Sequence, residues 1–104
     1  MVEIMEGSFI GSLTGIITVK EGLNSDMADY IYTRAKLDNV KLEDNMEVVI
    51  FNISGTTSYQ VYFIDENTTI EDIKSKLEKI NVIMNYDSEE ILKQYFSENK
   101  KNKL

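Results

Sequence analysis

From Gly7 to Lys20 apolar and polar positions alternate with a period of two. Gly7, Phe9, Gly11, Leu13, Gly15, Ile17 and Val19 fall on one side, and Ser8, Ser12, Thr14 and Thr18 on the other, with Ile10 and Ile16 as exceptions. This period is the signature of strands with one buried face. Gly15, after Leu13 and Thr14, offers a positive φ for a tight reversal. The pattern therefore predicts a hairpin of about residues 2–12 with 16–21. Residues 25–37 read two ways. Met27, Ile31 and Ala35 form a helical i, i+4, i+8 stripe that Asn24 or Ser25 could cap. Tyr30-Ile31-Tyr32-Thr33 is instead rich in β-formers, with Ile31, Thr33, Ala35 and Leu37 on one strand face and a turn at Asp38-Asn39 into Val40–Leu42. The balance predicts strand beyond Tyr30.

The middle of the chain is plainer. Glu47–Ile53 and Tyr59–Ile64 are apolar, β-forming runs on either side of Ser54-Gly55-Thr56-Thr57, which predicts a hairpin. Thr68 followed by Glu71 fits half of a capping box, and Ile70, Ile73, Leu77 and Ile80 make the stripe of a helix over about residues 69–80. Acids stand early in that helix and lysines late, as its dipole prefers. A break at Asn85-Tyr86 leads to a second helix over about 87–98, with Ile91, Leu92, Tyr95 and Phe96 as its apolar face. The expected fold is α+β: one domain over residues 1–98, an antiparallel sheet of four to five strands mainly within 2–64, then two C-terminal helices on one sheet face. Residues 99–104 form a basic tail expected to be flexible.

The strand, Ser54-Gly55 turn, strand and Thr69-Ile-Glu-Asp-Ile-Lys-Ser-Lys-Leu77 helix resemble the first hairpin and helix of ubiquitin-like β-grasp domains. The resemblance covers about a third of the chain. That fold continues with further strands, whereas a second helix is expected here, and the Gly-Gly tail used for conjugation is missing. Shared supersecondary structure is what it implies. Gly15–Val19, Tyr30–Leu37 and Glu47–Phe51 also resemble the first three strands of oligonucleotide-binding barrels, with aromatic side chains that could stack on bases. Arg34, Lys36 and Lys41 are the only basic residues there apart from Lys20, so core packing is the expected role of most of the rings.

Composition narrows the chemistry. The 104 residues include no His, Cys, Trp or Pro. That excludes disulfides, thiolate nucleophiles, zinc ribbons and the side chain that ordinarily titrates near neutrality. No phosphate loop follows Gly7, Gly11 and Gly15, since the Gly-Lys-Ser/Thr ending is missing. Asp65-x-Asn67-x-Thr69-x-Glu71 echoes a calcium loop but has Ile70 where the sharp turn needs Gly and Lys76 where a bidentate Glu belongs. The reading is non-enzymatic, with no cofactor and no metal.

Charge is the strongest remaining feature. The formal net charge is −7, and residues 1–98 alone hold 18 acidic and 8 basic side chains. Such a body repels nucleic acid and acidic membranes and attracts basic surfaces. The acids that could meet a partner are Asp65, Glu66, Glu71 and Asp72 first, and Glu43, Asp44 and Glu47 second. No apolar stretch is long enough for a membrane helix and the start lacks a basic leader, so the expected location is the cytoplasm. Ten Lys to one Arg, with abundant Ile and Asn, fits an AT-rich coding genome such as that of a low-GC bacterium or its phages.

The expected function is an acidic protein–protein interaction module, monomeric or dimeric, with a basic protein surface as partner. A phage or mobile-element inhibitor of a nucleic-acid-binding host defence protein is its specific form. The alternatives are a structural or assembly subunit of a phage particle or secretion apparatus, and a small β-barrel that binds nucleic acid.

Overall fold

The structure is a computed structural model that describes residues 8–102, with side chains described through residue 98. Eight elements follow in order: β1 (Phe9–Thr18), α1 (Val19–Leu23), α2 (Ala28–Asp38), β2 (Glu47–Ile53), β3 (Tyr59–Ile64), α3 (Ile70–Glu78), β4 (Val82–Met84) and α4 (Tyr86–Asn102). The strands form one sheet in the order β3-β2-β1-β4. Strand β1 is antiparallel to β2, and β2 to β3, whereas β1 and β4 run parallel. The fold is α+β, but the sheet is mixed rather than purely antiparallel. A parallel partner needs a crossover, and α3 supplies it by carrying the chain from one sheet edge to the other.

The hairpin expected at Gly15 does not form, and residues 2–7 of its first strand lie outside the described residues. Instead β1 runs straight through. Its register against β2 steps from Leu13↔Phe51 to Gly15↔Ile50, so Thr14 is the extra residue of a β-bulge. A bulge reverses the parity of the faces. Leu13 and Ile16 consequently share one core, while Ile17 joins the other. The irregular parity of Ile16 thus marks a bulge, not a turn.

Helices cover both faces of the sheet, not one. On one side α3 and α4 bring Ile73, Leu77, Leu92 and Phe96 onto Val49, Phe51, Ile53, Tyr62, Ile64, Val82 and Met84. On the other, α1 and α2 bring Val19 and Ile31 onto Val48, Ile50 and Val61. Strand β2 is the centre of this arrangement, with Val48, Val49, Ile50 and Phe51 all buried in succession. A continuous apolar run of that kind belongs to a strand covered on both faces.

Residues 28–38 are helix, so the helical reading of this segment holds and the strand expected beyond Tyr30 does not form. Ile31 is fully buried and Ala35 nearly so. Burying an Ile contributes about 1.5–3 kcal/mol, whereas β-propensity differences span only about 1 kcal/mol. The helical stripe therefore outweighs the β-forming composition. Asn39, at φ 57° and ψ 48°, closes α2 as a left-handed C-cap, so Asp38-Asn39 ends a helix and no strand follows at Val40–Leu42. With Tyr30–Leu37 helical, the three-strand start of an oligonucleotide-binding barrel is absent.

The second half keeps closer to expectation. The β2–β3 hairpin forms, with Gly55 at φ 78° in its turn. The capping box of α3 is Thr69 with Asp72, one residue later than expected; Thr68 instead accepts the Asp65 backbone N–H at 2.9 Å. Ile80 lies beyond the helix and is exposed, and Ile91 on α4 points to solvent as well. Asn81, at φ 64°, turns the chain from α3 into β4. Helix α4 begins near its expected start and extends past residue 98 to Asn102.

Asn85 and Ser88 join α4 to the centre of the sheet. The Asn85 side-chain oxygen accepts the Ser88 N–H at 2.8 Å, capping α4, and its amide donates to the Ser12 hydroxyl at 3.0 Å. Ser88 is buried, and its hydroxyl accepts the Leu13 N–H at 2.7 Å. Strand β4 stops at Met84, opposite Gly11, so the hydroxyl takes over where the β1–β4 ladder ends. Leaving a buried N–H unmatched costs about 1–3 kcal/mol. Ser88→Ala should lower unfolding stability by that amount in urea denaturation.

Two glycines respond oppositely to an added Cβ. A Cβ at Gly15 meets nothing within 4 Å and its φ is not positive, so Gly15→Ala should be neutral or stabilise by up to about 1 kcal/mol. A Cβ at Gly22 would lie 2.2 Å from Cδ1 of the buried Ile31. Gly22→Ala should destabilise by about 1–2 kcal/mol, since overpacking outweighs the gain in helix propensity. Thermal unfolding of the two variants measures both.

Candidate interaction surface

Strand direction gathers the acids that lie apart in sequence. Strand β1 ends at Thr18, β2 begins at Glu47 and β3 ends at Ile64, and Glu47 pairs with both Thr18 and Ile64. Glu43, Asp44 and Glu47 at the entry to β2 thus stand at the same end of the sheet as Asp65 and Glu66 at the exit from β3. Glu71 and Asp72, in the first turn of α3, continue this end toward the α3–α4 face. All seven residues singled out from sequence lie at this end of the sheet or in the first turn of the helix that follows it. Six are exposed and Glu47 is half-buried.

Glu21 belongs to this group and was missed from sequence. It follows Thr18 in α1, where its carboxylate accepts the Thr18 N–H at 2.9 Å and the Thr18 hydroxyl accepts the Glu21 N–H at 3.1 Å. The legible signal was the spacing Thr18-x-x-Glu21, a capping box hidden behind the strand pattern. The loop before β2 is fixed against the same helix, because the Lys20 N–H donates to the Asp44 carbonyl at 3.1 Å.

Local hydrogen bonds fix several of these carboxylates. Asp65 accepts the Asn67 N–H at 2.9 Å and the Thr68 hydroxyl at 3.0 Å. Asp72 accepts the Thr69 N–H at 3.0 Å. The Tyr95 hydroxyl of α4 donates to Glu47 at 2.5 Å. These bonds account for the acids as caps and turns, and they also hold the charges in set positions. Among the described residues no group of three or more acids converges as a metal site would require. No helix among the described residues is long and apolar enough to cross a membrane.

A second surface lies along the open edge of β3. A groove of about 370 Å³ runs between α2 and this edge, lined by residues that include Tyr30, Arg34, Leu37, Tyr59, Gln60 and Val61. The rings of Tyr30 and Tyr59 meet edge to face at 5.5 Å. Burial pushes the Tyr62 phenol above its usual pKa, and the nearby Arg34 guanidinium partly opposes the rise. Phe51 and Tyr62 are among the largest fully buried side chains, so these rings pack the core.

On the α3–α4 side, Lys74 and Lys93 reach Glu89 at 3.2 and 3.5 Å. The Lys74 hydrogen bond is the main cause that holds the Glu89 carboxyl below the usual range. A folded-state pKa below the unfolded one makes a contribution that is present at neutral pH and lost as pH falls through the carboxylate range. The stability difference between wild type and Glu89→Gln should therefore shrink on acidification, as denaturation at a series of pH values will read.

Fold and surface together define a small three-layer α+β domain with a carboxylate-rich end. The chain belongs to the family described as Domain of unknown function (DUF749), which matches residues 9–96. It is 52% identical over 87 residues to an uncharacterized protein of Methanocaldococcus jannaschii, covering 84% of this chain and 77% of that relative. No solved structure matches it.

Proposed function

We propose that this protein is a non-enzymatic interaction module that uses its acidic sheet end to dock on a basic protein surface. The observation that carries the reading is the β2–β3 register. By pairing Glu47 with Ile64, it joins two acidic segments into one surface. The hydrogen bonds to Asp65, Asp72 and Glu47 support it further, because charges already held in place lose less freedom on binding. An ordered set of carboxylates is also suited to compete with nucleic-acid phosphates for a basic groove. Inhibition of a nucleic-acid-binding protein, in a phage or its host, is the specific form of the reading. The location that goes with it is the cytoplasm.

A short Lys/Arg-rich peptide probes the surface directly. Amide shifts on titration should concentrate at residues 18–21, 43–47 and 65–72 and fade with added salt. Glu43→Lys, Asp44→Lys and Glu71→Lys together, which leave the capping carboxylates of Asp65 and Asp72 in place, should weaken binding by about tenfold or more. Shifts centred elsewhere, or affinity unchanged by the triple substitution, refute the proposal.

A further inference from the structure

The two edges of the sheet differ in a way that sequence does not explain. Strand β4 is only three residues long, which by itself limits pairing. Strand β3 offers six, Tyr59-Gln-Val-Tyr-Phe-Ile64, with no charge, Gly or Pro. Short uncharged β-forming segments at a free edge are the segments most prone to pair with copies of themselves. Edge strands are commonly protected by a charge on the strand itself, and β3 has none.

The protection comes from α2. Arg34 reaches over the edge, and its Nε donates to the Val61 carbonyl at 3.0 Å. That carbonyl faces outward, and an added strand would have to engage it with its own N–H. The rest of the guanidinium is held on three sides: by Asp38 at 3.3 Å, by the Gln60 side chain at 3.4 Å and by the Tyr62 ring 4.8 Å from Cζ. Val61 belongs to the α1–α2 core and Tyr62 to the α3–α4 core. One side chain thus passes around the strand from one layer to the other.

We propose that Arg34 is a clasp that keeps the β3 edge closed to strand addition by a second copy of this chain. With the clasp removed, the outward backbone groups of Tyr59, Val61 and Phe63 meet the same groups of another β3. Antiparallel pairing of identical strands gives a two-fold contact with no like charges opposed. The acidic end lies beyond Ile64 and takes no part, so this proposal stands apart from the docking reading.

The test is the mass of Arg34→Met in solution, since Met keeps an unbranched apolar side chain at this position and removes the guanidinium. Sedimentation equilibrium over a concentration series should find wild type at monomer mass and Arg34→Met rising toward twice that mass or more. Adding Tyr59→Pro, which is tolerated at the first residue of a strand but removes an outward N–H, should return the variant to monomer mass. Circular dichroism confirms that each variant is folded. If Arg34→Met does not fold, Arg34→Leu is read in the same way, because it too has no donor for the Val61 carbonyl. A folded variant that stays at monomer mass overturns the proposal. So does association that Tyr59→Pro leaves unchanged, or wild type that already pairs through β3.

Discussion

Burial of β2 on both faces is the constraint from which most of this structure follows. Four consecutive side chains, Val48 to Phe51, point alternately to opposite sides of the sheet and all leave water. Each side must therefore carry an apolar layer, at about 25 cal/mol for every Å² removed from solvent. The α1–α2 pair supplies one layer and the α3–α4 pair the other. Neither pair would have this sheet to rest on without the other, because one layer alone would leave half of β2 exposed.

Strand β1 adapts to the same demand through its bulge. Thr14 shifts the parity, so that Leu13 and Ile16 serve one core while Ile17 serves the other. Where the bulged strand runs past the end of β4, the buried Ser88 hydroxyl takes the Leu13 N–H. The central strands thus determine where helices lie, and the helix ends in turn satisfy the strands. At the rim, Arg34 binds both layers around β3, and the loops at one end collect the carboxylates.

Much of the second half was legible because its signals are local. The Ser54-Gly55 turn, the Ile73 and Leu77 stripe and the Leu92, Tyr95 and Phe96 face each depend on neighbours within a few residues. Residues 25–37 read two ways, and beyond Tyr30 local composition favoured strand, while burial of Ile31 against a distant sheet favoured helix. Strand β4 was missed because three residues are too few to display alternation. The unbroken apolar run of β2 did announce cover on two faces, a signal masked by the expectation of a simple hairpin. Strand pairing brings the acidic segments at Glu47 and Asp65 to one end of the sheet, a juxtaposition no local pattern contains, and Glu21 escaped notice inside a pattern read as strand.

By itself the sequence determined the acidic character, the absence of His and Cys chemistry, the β2–β3 hairpin and the core stripes of the last two helices. These depend on composition and on spacing within one element. Tertiary structure alone decided the parallel β1–β4 pairing, the second helical layer, the joining of residues 43–47 with 65–72 and the passage of Arg34 around the sheet edge. Each of those depends on which strands lie side by side and in which direction. Pairing across tens of residues is selected by the burial available to the whole chain, and no short window of sequence contains it.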